Sequence, residues 1–159
     1  MRVPRIYLET TMFNYYFDEE PNFLHTDTVK LFEEIRAGRY EAYTSDYVTN
    51  ELKQASTDKR DKMINLYTEY GITVLGPNVD ADELANLYVE GKIIPQKHRT
   101  DAQHIAVATV NNMDMILSLN FKHIVRKKTI VMTGRINVDF GYRPIEIYSP
   151  MEVVDRENS

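Results

Sequence analysis

The chain has no cysteine, which excludes disulfides, thiolate zinc sites and cysteine nucleophiles together and leaves oxygen and imidazole as metal ligands. No apolar run approaches the roughly 20 residues of a membrane-spanning helix. The opening MRVPRIYLETTMF lacks the apolar core of a signal peptide, so the sequence predicts a cytoplasmic protein without membrane contact. Internal repeats, low-complexity tracts and dividing linkers are missing too, which predicts one domain over 1–155 and a frayed tail at 156–159. Basic charge is scarce: 19 Lys and Arg against 24 Asp and Glu leave a net charge of -5, which argues against a generic coating of nucleic acid. Two local basic stretches remain, Lys92, Lys97, His98 and Arg99, then Lys122, His123, Arg126, Lys127 and Lys128. Each reads either as solvated surface or as a local patch for an anion.

What is present is an alternation of short apolar strands and amphipathic helices. VPRIYLE reads as a buried strand, and the TT after Glu9 as the cap of a brief helix through MFNYYF. Thr26 to Ala37 reads as a helix stopped by Gly38. YEAYT is a second strand, followed by a helix capped by Ser45 or Asp46 with Val48, Leu52 and Ala55 on its inner face. Another helix, Asp58 to Tyr70, ends at Gly71 before the strand ITVL. Asp80 and Glu83 have capping-box spacing for a helix through Tyr88 that Gly91 closes, and Pro95 breaks the chain. The stretch RTDAQHIAVATVNN then reads as a helix, MDMILSL as the fourth strand and RPIEIY as the last. Pro144 marks that last strand for an edge, because it cannot donate to a ladder. Strands connected through helices imply an α/β fold with a mainly parallel sheet between helical layers.

In an open parallel sheet, ligands bind beyond the carboxyl ends of the strands. Glu9 ends the first strand, Asn120 follows the fourth, Glu51 lies on the helix leaving the second, and Asp101 begins the helix that leads to the fourth. Taken singly, Asp101 reads as an acid favoured by a helix dipole, with Thr100 and Gln103 at capping-box spacing, and Asn120 as a turn residue. Glu9 directly after RIYL needs a partner if it is buried. Taken together, three carboxylates and an amide at one crevice call for a cation. Oxygen-only ligation suits Mg²⁺ or Mn²⁺, whose chemistry with such ligands is phosphodiester hydrolysis. His104, three residues after Asp101 on the same helix face, reads as a substrate contact or as a residue that orients a carboxylate. His123 is placed to meet a phosphate, while His25 and His98 read as surface residues. Zinc would need the histidines to converge, and no HExxH spacing points that way.

Four segments, IYLETTMFNYYF, YTSDYVTNEL, RTDAQHIAVATVNNMDMILSLNFKHI and GYRPIEIYSP, stand in an order that resembles PIN-domain proteins, of the prokaryotic group that includes the VapC-type ribonuclease toxins. The resemblance covers nearly the whole chain, and its most specific element is the DAxHIAxA pattern leading through a strand to NFKHI. It implies a three-layer α/β/α fold with sheet order 3-2-1-4-5 and Mg²⁺- or Mn²⁺-dependent cleavage of RNA. By position it implies Glu9, Glu51 and Asp101 as the first three acids and metal ligands, Asn120 at the variable fourth position, and Thr10 as the hydroxyl residue beside the first acid. Thr10, Arg99, His104, Lys122 and His123 would meet the substrate, and Asn120 would position a metal-bound water or the phosphate. Helices of the first half commonly form homodimer or antitoxin contacts in such proteins.

The departure from the family pattern is Glu9, where an aspartate is usual. The added methylene moves the carboxylate by about 1.5 Å, whereas catalytic groups are held to within about 0.5 Å. Two readings follow: an endoribonuclease, as the toxin of a toxin–antitoxin pair, or a catalytically weak PIN-like module that binds RNA or a protein partner. An aspartyl phosphatase is disfavoured, since ETT lacks paired aspartates and no P-loop or GxGxxG cradle is present.

Overall fold

The computed structural model describes residues 2–18, 20 and 22–156. Its elements run β1 (Arg5–Leu8), α1 (Thr10–Tyr16), α2 (Phe23–Arg36), β2 (Glu41–Ser45), α3 (Asp46–Leu52), α4 (Thr57–Glu69), β3 (Thr73–Leu75), α5 (Val79–Glu90), a 3-10 turn (Gln96–His98), α6 (Arg99–Val110), β4 (Met115–Leu117), α7 (Lys127–Asp139), β5 (Glu146–Tyr148) and α8 (Pro150–Val153). The five strands form one sheet in the order β3-β2-β1-β4-β5. Every pairing is parallel, so the sheet is wholly and not just mainly so. β5 takes the edge that Pro144 pointed to.

Successive residues of a strand face opposite sides of the sheet. Ile6, Tyr7 and Leu8 of β1 and Ile116 and Leu117 of β4 are all fully buried. Both faces are therefore covered, which gives the three-layer α/β/α arrangement. On the helical side, α1 packs on α2, α3 and α4, and α5 packs on α6 and α7. An aromatic cluster of Phe13, Tyr16, Phe32 and Tyr70 joins α1, α2 and the end of α4, with ring centroids 4.9–5.9 Å apart. Tyr16 of the NYYF run is thus part of the packing. Among the described residues, no helix is long and apolar enough to cross a membrane.

Several local expectations are corrected. Helix α7 was not expected from hydropathy, because the residues it buries are Thr129, Thr133 and Asn137. These polar residues sit four apart on one face and find partners inside: Thr133 donates to the Thr129 carbonyl at 2.7 Å, and Asn137 accepts from the Tyr88 hydroxyl. α8 also lay outside the expected set, held by a capping box of Ser149 and Glu152. The cap of α5 is Asn78, whose side chain accepts from the Ala81 amide at 3.1 Å, so Asp80 and Glu83 are not its box. The cap of α1 is Glu9 itself. At the end of α5 the left-handed residue is Lys92, not Gly91. Gly91 serves another need: a Cβ there would lie 3.2 Å from the Leu87 carbonyl oxygen and 3.5 Å from Ile136 of α7. Of the tail, 157–159 lie outside the described residues, and Arg156 reaches Asp27 of α2 at 2.8 Å.

Candidate carboxylate and histidine site

The parallel register sets the ends of β1, β2 and β4 side by side. The Glu9 amide donates to the Leu117 carbonyl at 3.1 Å, which fixes the start of α1 against the end of β4. Glu9 is 3 % exposed. Its Oε1 accepts from the Thr11 amide at 3.2 Å, the Thr11 hydroxyl at 2.5 Å and the Ser118 hydroxyl at 2.7 Å. Thr11 Oγ1 in turn accepts from the Leu119 amide, and Ser118 Oγ from the Asn120 amide. The carboxylate therefore ties the β1 end to the β4 end. Burial raises its pKa, against the lowering influence of His104, Thr11 and Ser118.

Glu51, on α3, takes both of its contacts on Oε1 as well. Thr10 donates to that oxygen at 2.7 Å and His104 Nε2 lies 2.6 Å from it. The other ring nitrogen of His104, Nδ1, is 2.8 Å from the Tyr7 hydroxyl, which also bonds Ser45 at 2.7 Å. His104 has no exposed surface and both nitrogens are taken, so it lies beneath the carboxylates and not against a substrate. Burial alone would lower its pKa, but the Glu51 bond and the charges of Glu9, Glu51 and Asp101 together hold it above its ordinary value. Burial likewise works to raise Glu51, and the bond to His104 overcomes it and leaves Glu51 below the usual range. The four groups form a partly self-neutralised cluster around one imidazole.

Asp101 stands half-buried in the first turn of α6. Burial raises its carboxyl, while His104, the Asn120 amide and His123 pull the other way. Thr100 makes no cap, and the N-cap position belongs to His98. Asn120 does serve a turn, since its Oδ1 accepts from the His123 amide at 3.0 Å. Arg99 is directed to α5, where it donates to the Asn86 side chain and, at 3.4 Å, to the Asp82 carbonyl. Lys122 is exposed.

His98 is not a simple surface residue. Its ring lies over that of His123, with centroids 4.2 Å apart and planes 33° apart. One ligand atom from each of His98, Asp101 and His123 falls within 4.8 Å of the other two, the one such set among the described residues. Glu9, Glu51 and Asp101 do not close to that distance as a trio. The histidines do converge, which the missing HExxH spacing gave no sign of. His123 Nε2 is buried without a hydrogen-bond partner, a cost of about 1–3 kcal/mol. Burial and the neighbouring His98 lower the His123 pKa.

Sequence reasoning missed Tyr7, Ser45, Thr11 and Ser118. A tyrosine inside a strand buried on both faces needs a partner for its hydroxyl, and Ser118 is the one hydroxyl in MDMILSL; both were usable signals. A cleft of about 610 Å³ between α1 and α4, lined in part by Tyr15, Asp18, Lys59 and Lys62, holds none of these acids.

No family model matches the chain, and no curated protein matches it either. Among solved structures, the chain is similar to one in the crystal structure of VapBC2 from Rickettsia felis bound to a DNA fragment from their promoter. The TM-score is 0.59 at 12% identity, and the match covers 91% of this chain and 98% of that one. At that identity the likeness concerns the fold, and with the sheet order and the covered faces it identifies the PIN-like α/β/α fold that the sequence resemblance implies.

Proposed function

We propose that the chain is a Mg²⁺- or Mn²⁺-dependent endoribonuclease that hydrolyses RNA phosphodiester bonds, as the toxin of a toxin–antitoxin pair. The observation that carries this reading is the arrangement of acids near the strand ends: Glu9 capping α1 directly after β1, Glu51 bonded to Thr10 and His104, and Asp101 in the first turn of α6, the helix that holds His104. Each glutamate takes its hydrogen bonds on Oε1, so Oε2 remains for a ligand. An oxygen-only donor set with open positions suits Mg²⁺ or Mn²⁺, ions that keep several waters, so Glu9, Glu51 and Asp101, which do not close within 4.8 Å as a trio, would hold the ion in part through those waters. When bound, such an ion supplies positive charge against the scissile phosphate and acidifies a nearby water.

The chain's own groups do the positioning. Thr10 and His104 orient Glu51, Thr11 and Ser118 orient Glu9, and the Asn120 amide steadies Asp101. Lys122 attracts the RNA backbone locally in an otherwise acidic protein, with His123 beside it as an imidazole of lowered pKa, while Arg99 is engaged by Asn86 and Asp82 of α5. The similar structure is a VapBC2 assembly, which supports an antitoxin protein as a partner here. Homodimer contacts through the first-half helices and a cytoplasmic location belong to the same reading. Purified protein should cut RNA with Mn²⁺, and Asp101→Asn should abolish the cut while leaving the far-ultraviolet dichroism unchanged. An unchanged rate overturns the assignment.

A second reading, a PIN-like module that binds RNA or protein without turnover, is favoured by one observation. The carboxylates are already tied to hydroxyls and an imidazole, so an incoming ion competes with them. Mn²⁺ titration separates the readings: a cleaving enzyme saturates, and an inert module does not.

A further inference from the structure

We infer that His98, Asp101 and His123 form a metal site of their own on the rim of the carboxylate centre, one that takes a divalent transition ion of imidazole preference such as Zn²⁺. The site shares Asp101 with the proposed nuclease centre but stands on separate geometry. Two imidazoles and one carboxylate are a donor set for Zn²⁺, Co²⁺ or Ni²⁺, whereas Mg²⁺ asks for oxygens alone. Three protein ligands with an open fourth position match a reactive or exchangeable zinc site and not a closed structural one.

Two chain segments bring the set together. His98 ends the 3-10 turn, and Asp101 follows it by three residues in the first turn of α6, a spacing that places both side chains on one face. His123 arrives from the other side, on the turn after β4 that the Asn120 side chain holds through the His123 amide. The tilted stack of the two rings keeps them at 4.2 Å between centroids. The ligand atoms all lie within 4.8 Å of one another. Tetrahedral ligation at about 2.1 Å sets ligand atoms about 3.4 Å apart, so binding an ion asks the set to draw in by about 1.4 Å at most between any two atoms. All three residues are half-buried, which leaves an approach for the ion. The buried, partnerless Nε2 of His123 is the independent sign: the fold leaves unsatisfied one nitrogen of a ring that stands with a carboxylate and a second imidazole.

The test is a titration of the full, metal-stripped chain with Co²⁺, read from its visible absorption, followed by displacement with Zn²⁺. One equivalent should bind with the intense bands of a four-coordinate ion. His98→Gln and His123→Gln should each weaken binding more than tenfold, and Glu51→Gln should leave it within a few-fold of the parent. Far-ultraviolet dichroism and thermal midpoints confirm that each variant is folded. Equal Co²⁺ affinity in both histidine variants overturns the site, as does a loss in Glu51→Gln as large as theirs. The two proposals separate cleanly: Co²⁺ binding through the histidines in a protein that cuts no RNA leaves this site standing and removes the nuclease. Mn²⁺-dependent cleavage without histidine-dependent Co²⁺ binding does the reverse.

Discussion

Glu9 carries one methylene more than the aspartate usual in the family the chain resembles, and the structure uses it. The longer side chain caps α1 through Thr11 and reaches the Ser118 hydroxyl on the far side of the β1–β4 seam. Glu9→Asp should therefore not restore an ancestral optimum. It should cost about 1–2 kcal/mol through buried groups left unpaired, measured by urea denaturation. His104→Ala should cost about 2–3 kcal/mol, since Tyr7 and Glu51 both lose a partner, and Glu51 should then titrate higher. At this scale the sequence was legible where chemistry and strand ends coincide, as at Glu9, Glu51 and Asp101. It was not legible where a partner comes from a distant element, as with Ser118 beneath Glu9 or His98 over His123. A single sequence prints spacing along the chain and not approach across it.

Among the elements, α7 shows why periodicity alone fails. Its buried residues are Thr129, Thr133 and Asn137, flanked by the partly buried Ile130, Met132 and Ile136, while Val131 and Val138 are exposed, so polar side chains hold the centre of the inner face and apolar ones its margins. By contrast, α2 announces its end through Gly38, which takes φ +83°, a conformation other residues adopt at a cost. Gly38→Ala should lower stability by about 1 kcal/mol, with no clash to relieve because nothing lies within 4 Å of the added methyl. The entry to β1 is held electrostatically. Asp114 accepts from the Arg5 amide at 2.7 Å and from both terminal nitrogens of Arg2. Burial works to raise its carboxyl, but the Arg2 bonds and the Arg5 amide bring it below the ordinary 3.8. A depressed folded value means that the stabilisation is complete above pH 3.8 and is lost as pH falls through the folded pKa. Asp114→Ala should thus cost about 1 kcal/mol at pH 6 through the lost amide bond and nothing once the parent's own Asp114 is protonated, a difference that urea midpoints at pH 6 and below pH 3 will register.

Over the whole molecule, acidity sets how the RNA proposed as a partner would be held. With a net charge of -5, phosphates would be engaged by local basic groups such as those near Lys122 and not by the surface at large. Binding that uses two or three phosphates should show a salt slope of about -2 on a log–log plot, shallow beside proteins that coat RNA. Lys122→Glu should flatten it further, and fluorescence anisotropy at several NaCl concentrations reads both. The sheet order has a consequence in time. β1 precedes the other strands in the chain yet is the middle one, and its neighbours are β2 and β4. β4 does not begin until Met115, and Leu117 and Ser118 reach Glu9 only when that strand has docked. During synthesis the first acid therefore waits with its site unassembled until Met115 to Ser118 have followed it. A chain cut short before Met115 leaves β1 paired on its β2 side alone, with Glu9 lacking the hydroxyl that holds it.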